Sequence, residues 1–339
     1  MRGPDPEIAG LAPILEKIAA AVRRRFGSAA RIDNVEVATL GGSNRTLLFD
    51  LVEGHARRRL VSRQETYRLP NSPFTPPHVQ FQLLEVARRH AVPVPEPVFE
   101  YIPEDELDRG YVVGFVAGET LPRRLLHDAR FAGARARFAD EAAEILARLH
   151  AIPGAEATSV ADTPDSGDAL GAQLARLDYY GEAHPAIELA GRWLRRHTRP
   201  PVRRCLVHGD FRTANFLMDE HGIRALLDWE CAHLGDPLED LGWLCMRGFR
   251  WGNLDLPVGG ISARAPFYAA YARASGIEID PEAVRWWEIF GMLRWAVINV
   301  MQAHGHCTGE RRSPAFAACG RNVSMIEYDL LMTLLRHYD

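Results

Sequence analysis

Lysine is almost absent from this chain of 339 residues, since Lys17 is the only one and every other basic side chain is arginine. Any phosphate contact elsewhere in the chain that needs a cation must therefore use arginine, whose planar guanidinium pairs with phosphate oxygens in a bidentate manner. The chain also lacks an excess of positive charge, because its formal net charge is −4. That balance argues against a nucleic-acid-binding protein, which typically presents a basic face.

Long apolar runs and paired cysteines are missing too. No run reaches the 18 or more apolar residues of a membrane-spanning helix, so we expect no membrane span. The first ten residues, MRGPDPEIAG, lack the apolar segment of a secretory signal. The odd number of cysteines and the absence of a C-x-x-C pair argue against a disulfide framework and a zinc cluster, and favour a cytoplasmic location. These cysteines are Cys205, Cys231, Cys245, Cys307 and Cys319.

The first 116 residues carry most of the strand-like segments. A helical pattern at residues 7–26 precedes three strands, which are separated by a Gly-Gly-Ser-Asn turn at 41–44 and by a second turn at EGHARRR. A helix at 78–90 and two more strands, PVPEPVFEY and RGYVVGFV, follow. We therefore predict a small lobe with an antiparallel sheet over residues 1–116.

Helical patterns dominate from residue 117 to 339. One short interruption at 203–230 contains the strand-like runs RCLVH, ANFLM and RALLD. A chain of this length usually forms more than one core, so we predict a second, larger and mostly helical lobe over residues 117–339 and an α+β fold overall. The predicted helices of this lobe are 133–151, 168–178, 185–197, 236–248, 264–275, 281–304 and 322–337.

Polar residues are concentrated between positions 208 and 240. The cluster contains His208-Gly209-Asp210, Asn215 five residues after the aspartate, and Asp228 at the end of a strand-like run. Two carboxylates and an amide at strand ends suit Mg²⁺, which prefers oxygen ligands from one or two protein groups and from substrate phosphates. The cluster therefore predicts a site for a divalent cation and a phosphate compound.

This spacing resembles the motif of aminoglycoside phosphotransferases and choline kinases, and its layout is similar to the H-R-D-x-x-x-x-N and D-F-G elements of protein kinases. The resemblance implies a two-lobed, protein-kinase-like fold and a small-molecule kinase. It implies that Asp210 is the catalytic base, and that Asn215 and Asp228 hold Mg²⁺. His208 would be an orienting residue. Asp236 and Asp240 would cap the next helix and brace the loop.

The first lobe is similar to a subgroup of this family, the kinase domains fused to acyl-CoA dehydrogenases. The similarity rests on GGSNRT at 41–46, LVSR at 60–63 and VPVP at 92–95. It implies a phosphate-covering loop containing Gly42, Ser43 and Asn44, whose successive backbone N–H groups make an anion-binding concavity. Arg63 takes the place of the usual phosphate-binding lysine. Gln80 stands where the family carries a helix glutamate, which is a departure from its pattern.

The segment YVVGFVAG aligns with the family's connection between lobes, so the backbone near Gly114 and Val116 would meet the purine of ATP or GTP. The acceptor is predicted to be a hydroxyl group of a small molecule. The arginine-rich second lobe favours a neutral or anionic acceptor, and the subgroup implies a hydroxyacyl-CoA as one candidate. Arg294, between tryptophans of a predicted helix, would either extend to solvent or face the acceptor.

Two alternatives stay open at this point. Gln80 and Arg63 are compatible with a pseudokinase that binds nucleotide without transferring phosphate. The His208-x-Asp210 pair also fits part of the two-histidine, one-carboxylate site of a mononuclear iron oxygenase, although long C-terminal helices do not suit that fold.

Overall fold

A computed structural model describes residues 10–38, 44–68, 72–160, 163 and 166–338. It divides the chain into two compact units. The first comprises residues 1–68, 76–85 and 95–116, and the second comprises 69–75, 86–94 and 117–339. The segments 69–75 and 86–94 thus belong to the second unit although they lie early in the sequence.

The first unit is built on one antiparallel sheet with the strand order β1-β2-β3-β5-β4. Its central strands β2 and β3 form a ten-residue ladder from Asn44↔Glu65 to Glu53↔Ala56, closed by Gly54 and His55. Gly54 has a φ of 60°, which glycine adopts at little cost. The strands are β1 (Arg31–Val37), β2 (Asn44–Glu53), β3 (Ala56–Glu65), β4 (Pro97–Glu100) and β5 (Gly110–Gly114).

Two helices accompany this sheet in sequence, α1 (Ala12–Phe26) and α2 (Pro77–Arg89). The apolar face of α1 shares a core with alternate residues of the central strands, as the two-residue period of a strand requires. Removing these side chains from water drives the packing of α1 in this unit. Buried members of this core are Ile18, Val22, Leu47, Phe49, Leu51, Leu60 and Val112.

The second unit is mostly helical. Its longest helix, α9, packs against α7 and α10, and α4 packs against α8. Pro281 begins α9 after an Asp280 cap, whose side chain accepts the N–H of Glu282. The helices are α3 (Pro122–His127), α4 (Ala132–His150), α5 (Ala169–Tyr180), α6 (Pro185–Arg196), α7 (Leu238–Cys245), α8 (Arg264–Ser275), α9 (Pro281–Cys307) and α10 (Pro314–Leu334).

Four short strands of the second unit hold the polar segment 208–236. Strand β7 (Phe216–Asp219) pairs with β8 (Gly222–Leu226), and β6 (Cys205–Val207) pairs with β9 (His233–Gly235). Each pair is antiparallel. Because β6 pairs with β9 and β8 pairs with β7, the start of the segment after β6 and the start of the segment after β8 are each held by a paired strand.

The structure confirms the α+β fold class, with the predicted strands and helices in the predicted order. It differs in detail. Strand β9 and helix α3 were not predicted, because each is too short to show a period. The last helix begins at Pro314 and not at residue 322. Of the helix predicted at 7–26, residues 7–9 lie outside the described residues. Among the described residues, no helix has the length and apolar character needed to cross a membrane.

Candidate active site

The segment from His208 to Asp210 follows directly on strand β6 and turns sharply at Gly209. Gly209 has a φ of 72°, and a Cβ added there would lie 2.3 Å from the carbonyl oxygen of Cys231. Both the left-handed backbone and the close approach therefore require glycine at this position. After this turn, the side chain of Asp210 contacts residues that come later in the sequence.

Asp210 is 6% exposed, and its two carboxylate oxygens have different neighbours. Oδ2 accepts a hydrogen bond of 2.7 Å from the Asn215 side-chain amide, which also donates to the Asp210 backbone oxygen at 2.9 Å. Oδ1 accepts a hydrogen bond of 2.9 Å from the indole N–H of Trp243 and lies 2.8 Å from Arg212 Nε in an ion pair. The carboxylate is therefore held in one orientation.

The imidazole of His208 is buried, and both of its ring nitrogens have partners. Nε2 lies 3.0 Å from the carbonyl oxygen of Leu227, which only accepts, and Nδ1 accepts the backbone N–H of Asp210 at 3.2 Å. These contacts assign the proton to Nε2 of a neutral ring. Burial lowers the pKa of His208 although the nearby carboxylates oppose this. His208 thus orients the turn, and the iron-ligand alternative loses its histidine because neither nitrogen is left for a metal.

Asp240, on helix α7, holds the backbone of the same turn. Its buried carboxylate accepts the N–H groups of His208 and Gly209, each at 2.8 Å, and lies 3.1 Å from Nε2 of His150. Burial raises the pKa of Asp240, but the hydrogen bonds of His150 and His208 outweigh it and lower the pKa overall. Asp236, by contrast, accepts the N–H groups of Leu238 and Val202 and so fixes the start of α7.

Arg294 is neither extended to solvent nor directed at an acceptor, which corrects both expectations. Its side chain is 1% exposed, and Nη1 donates to Glu239 Oε1 at 2.8 Å and to the carbonyl oxygen of Gly209 at 3.4 Å. Helix α9 thereby reaches the turn before Asp210. The role of Arg294 is to support this turn.

Asp228 follows strand β8 with a φ of 68° and a ψ of 65°, a left-handed conformation that is uncommon outside glycine. The preceding residue, Leu227, donates its N–H to the carbonyl oxygen of Asn215 at 2.9 Å. This bond ties the segment that carries Asp228 to Asn215. The backbone places Asp210, Asn215 and Asp228 in one cluster of the second unit.

The first unit carries the remaining predicted residues. Arg63 lies on β3 opposite Thr46 of β2 and Tyr111 of β5, and it is half-buried. The hydroxyl of Tyr111 donates to the side-chain oxygen of Gln80 at 3.1 Å, so that Gln80 has a defined polar partner on β5.

The other residues predicted to contact the nucleotide lie near the start of β2 and the end of β5. Asn44 begins β2, whereas Gly42 and Ser43 lie outside the described residues. Gly114 ends β5 and donates its N–H to the carbonyl oxygen of Glu96 at 2.8 Å. Val116 is half-buried and lies in the segment without regular secondary structure that follows.

Comparison with known proteins decides the family. The model of the APH phosphotransferase enzyme family matches residues 35–287. The chain belongs to this family. The match includes both units and every residue of the Asp210 cluster, and it confirms the predicted enzyme class at the level of a phosphotransferase.

Individual relatives of this phosphotransferase agree with that assignment. Acyl-CoA dehydrogenase family member 10 of Mus musculus is 31% identical over 152 residues, which is 40% of this chain and 14% of the mouse protein. A solved structure described as a putative aminoglycoside phosphotransferase from Ralstonia eutropha has a TM-score of 0.70 at 23% identity, covering 95% of this chain and 98% of the other. Spectinomycin phosphotransferase, solved with ADP and spectinomycin, has a TM-score of 0.59 at 10% identity, covering 94% and 98%. The two solved structures support the protein-kinase-like fold.

Several residues of the candidate site were not predicted from the sequence. Trp243 and Arg212 contact Asp210, and His150 contacts Asp240. Trp243 lies 33 positions after Asp210, on an apolar helix where a tryptophan is expected in the core. Arg212 lies within the motif itself, and its position two residues after Asp210 was the available signal.

Proposed function

We propose that this chain transfers the γ-phosphate of ATP or GTP to a hydroxyl group of a small molecule. The proposal rests on the hydrogen bonds that join three segments. The Asn215 side-chain amide donates to the backbone oxygen and to Oδ2 of Asp210, and Leu227, just before Asp228, donates its N–H to the carbonyl oxygen of Asn215. A catalytic carboxylate and two oxygen ligands for a cation are the groups that such a transfer requires.

The residues present suit a magnesium ion. Because the Asn215 amide nitrogen is committed to Asp210, its side-chain oxygen is the atom left for a cation, and Asp228 adds a carboxylate. Among the described residues, no group of three or more histidines, cysteines, aspartates or glutamates could hold a metal. One amide oxygen and one carboxylate fit Mg²⁺, because this ion takes its remaining oxygen ligands from phosphates and water. When bound, the ion supplies charge neutralisation at those phosphates.

Asp210 would receive the acceptor hydroxyl. Its Oδ2 accepts one hydrogen bond from Asn215 and has a second lone pair for the hydroxyl proton. In the transfer, the hydroxyl oxygen forms a bond to the γ-phosphorus while the bond from that phosphorus to the β,γ-bridging oxygen breaks. ADP or GDP leaves, and the hydroxyl proton passes through Asp210 to solvent. Because three donors already surround this carboxylate, its main contribution is to position the hydroxyl.

The nucleotide would contact residues of the first unit. Arg63 would bind phosphate oxygens through its planar guanidinium, and the backbone of Gly42, Ser43 and Asn44 would cover the phosphates. The backbone at Gly114 and Val116 would meet the purine. The ADP bound to spectinomycin phosphotransferase, which shares the fold, supports the use of a nucleotide.

The acceptor is a small molecule with a hydroxyl group. A hydroxyacyl-CoA is one candidate, because the mouse relative that matches part of this chain is an acyl-CoA dehydrogenase family member. The cytoplasmic location stays a prediction.

A thermal-shift titration with ATP, GTP and a non-hydrolysable analogue, each with and without Mg²⁺, tests the proposal. Ligand binding to the native state raises the melting midpoint by mass action. We expect a magnesium-dependent rise that is lost in Asp228→Ala and kept in Asp140→Ala, whose aspartate is exposed. The absence of a shift with every nucleotide would contradict the proposal. Binding without turnover on any hydroxyl compound would favour the pseudokinase alternative.

A further inference from the structure

Arg212 and Asn215 contact different oxygens of the Asp210 carboxylate. Asn215 binds Oδ2, whereas Arg212 and Trp243 meet Oδ1. The proposed cation belongs with the Asn215 side of Asp210, and the surroundings of Oδ1 are the part of the site that Arg212 borders. This part is bordered by residues from α7, from the segment after it and from α9.

Aromatic rings surround the guanidinium of Arg212. Its central carbon lies 5.0 Å from the ring centre of Phe249 and 5.5 Å from that of Trp295. Trp243, Phe249 and Trp295 also pack on one another with ring centres 5.6 to 6.3 Å apart. Packed rings of this kind restrict the side chain and place its planar group in a low-dielectric setting, where a charged contact is strengthened.

The outer edge of the same guanidinium is open. Arg212 Nε is buried against Asp210, but neither Nη1 nor Nη2 makes a hydrogen bond with any residue that the structure describes. The side chain is 18% exposed, so these two groups reach solvent beside the catalytic carboxylate. Burial opposes the charge on Arg212, but Asp210 and Asp228 outweigh burial and raise its pKa, so the group is a permanent cation.

We infer that Arg212 binds a carboxylate of the acceptor, and that the acceptor is therefore a short hydroxy acid. The inference rests on the proposed function and names its substrate class. Two parallel N–H donors in a plane match a carboxylate, and hydrogen bonds from Nη1 and Nη2 would hold it within about 5 Å of Asp210. The hydroxyl bound to Asp210 is then only a few carbon atoms from the carboxylate. A polycationic aminoglycoside is disfavoured at this position, since a fixed positive charge borders the hydroxyl.

The test compares acceptors that differ only in this charge. Steady-state release of ADP is measured with Mg-ATP and a series of 2- and 3-hydroxy acids, each beside its neutral carboxamide, and with a hydroxyacyl-CoA whose thioester is neutral at the same position. The variants are Arg212→Gln and Arg212→Lys. Arg273→Gln, at an exposed arginine paired with Asp140, is the matched control.

We expect the wild type and Arg273→Gln to prefer an acid over its carboxamide by about 10- to 100-fold in kcat/KM, as for a charge-assisted contact. In Arg212→Gln the preference falls to within about threefold, with the KM for ATP unchanged, and Arg212→Lys is intermediate because lysine lacks the planar fork. Equal losses on acid and carboxamide would limit Arg212 to holding Asp210 or contacting the transferred phosphate, and would overturn the inference. So would a preference for the thioester that survives in Arg212→Gln, or nucleotide binding without turnover of any hydroxy acid. A failure to bind Mg-ATP would instead overturn the proposed function.

Discussion

Replacing Asp240 with asparagine should destabilise the protein and slow its reaction. Both oxygens of Asp240 accept backbone N–H groups, from His208 and from Gly209, at 2.8 Å. Whichever way the asparagine amide turns, its NH₂ group faces one of these donors and leaves it without an acceptor in a fully buried site. An unsatisfied buried donor costs about 1–3 kcal/mol, and the loss of charge at the other bond adds about 1 kcal/mol.

The expected loss is therefore about 2–4 kcal/mol of unfolding free energy, or a fall of about 3–6 °C in the melting midpoint of a chain of this length. Because the turn before Asp210 shifts, kcat should fall by roughly 10- to 100-fold while nucleotide affinity stays within a few-fold. Differential scanning fluorimetry and ADP-release kinetics measure the two effects. Asp140→Asn is the control, since its exposed ion pair with Arg273 contributes at most about 1 kcal/mol. A melting midpoint for Asp240→Asn within 1 °C of the wild type would refute this reasoning.

Three further predictions concern the turn, the phosphate contact and pH. Gly209→Ala should lower the melting midpoint by several degrees and abolish turnover, because its Cβ meets the Cys231 carbonyl oxygen and its φ is positive. Arg63→Ala should weaken ATP binding about tenfold or more in calorimetry, since a charged contact with phosphate is lost. Burial lowers the pKa of His208 in the folded state, so the unfolded chain binds a proton that the native chain does not. Stability should therefore decrease as pH falls below about 6.5, and this decrease should be smaller in His208→Gln.

Each of these predictions has a contradicting result. A fully active Gly209→Ala would mean that the turn tolerates a side chain. Unchanged ATP affinity in Arg63→Ala would mean that β3 does not carry the phosphate contact. For His208, an equal loss of stability between pH 7 and pH 5 in the wild type and in His208→Gln would assign the acid sensitivity to other groups.

The elements predicted from the sequence are those long enough to show a repeating pattern of apolar residues. Helix α8 was predicted with the observed bounds. Strands β2 and β3 were predicted from the runs TLLFDLV and RLVSR on either side of a turn at EGHARRR, but β3 begins at Ala56, within that predicted turn. The three-residue β9 and the six-residue α3 are shorter than the window that a period requires. The start of α10 was misplaced because residues 314–321 carry a proline and small residues that resemble a loop.

The candidate site was predictable only where its residues are near one another in sequence. Asp210, Asn215 and Asp228 follow a recognisable spacing, and the hydrogen bonds of Asn215 and Leu227 bring their segments together. The contacts of Trp243, His150 and Arg294 join positions 33 to 90 residues apart. Such contacts depend on how helices pack, and no local sequence pattern predicts them.

We propose that Asp210 positions the acceptor for phosphoryl transfer and does not hold the nucleotide. The most direct test measures Asp210→Ala twice, by calorimetric titration with Mg-ATP and by ADP release with an accepted hydroxyl compound. We expect the dissociation constant for Mg-ATP to stay within a few-fold of the wild type, whereas turnover falls below detection. A variant that retains most of its turnover would contradict the claim.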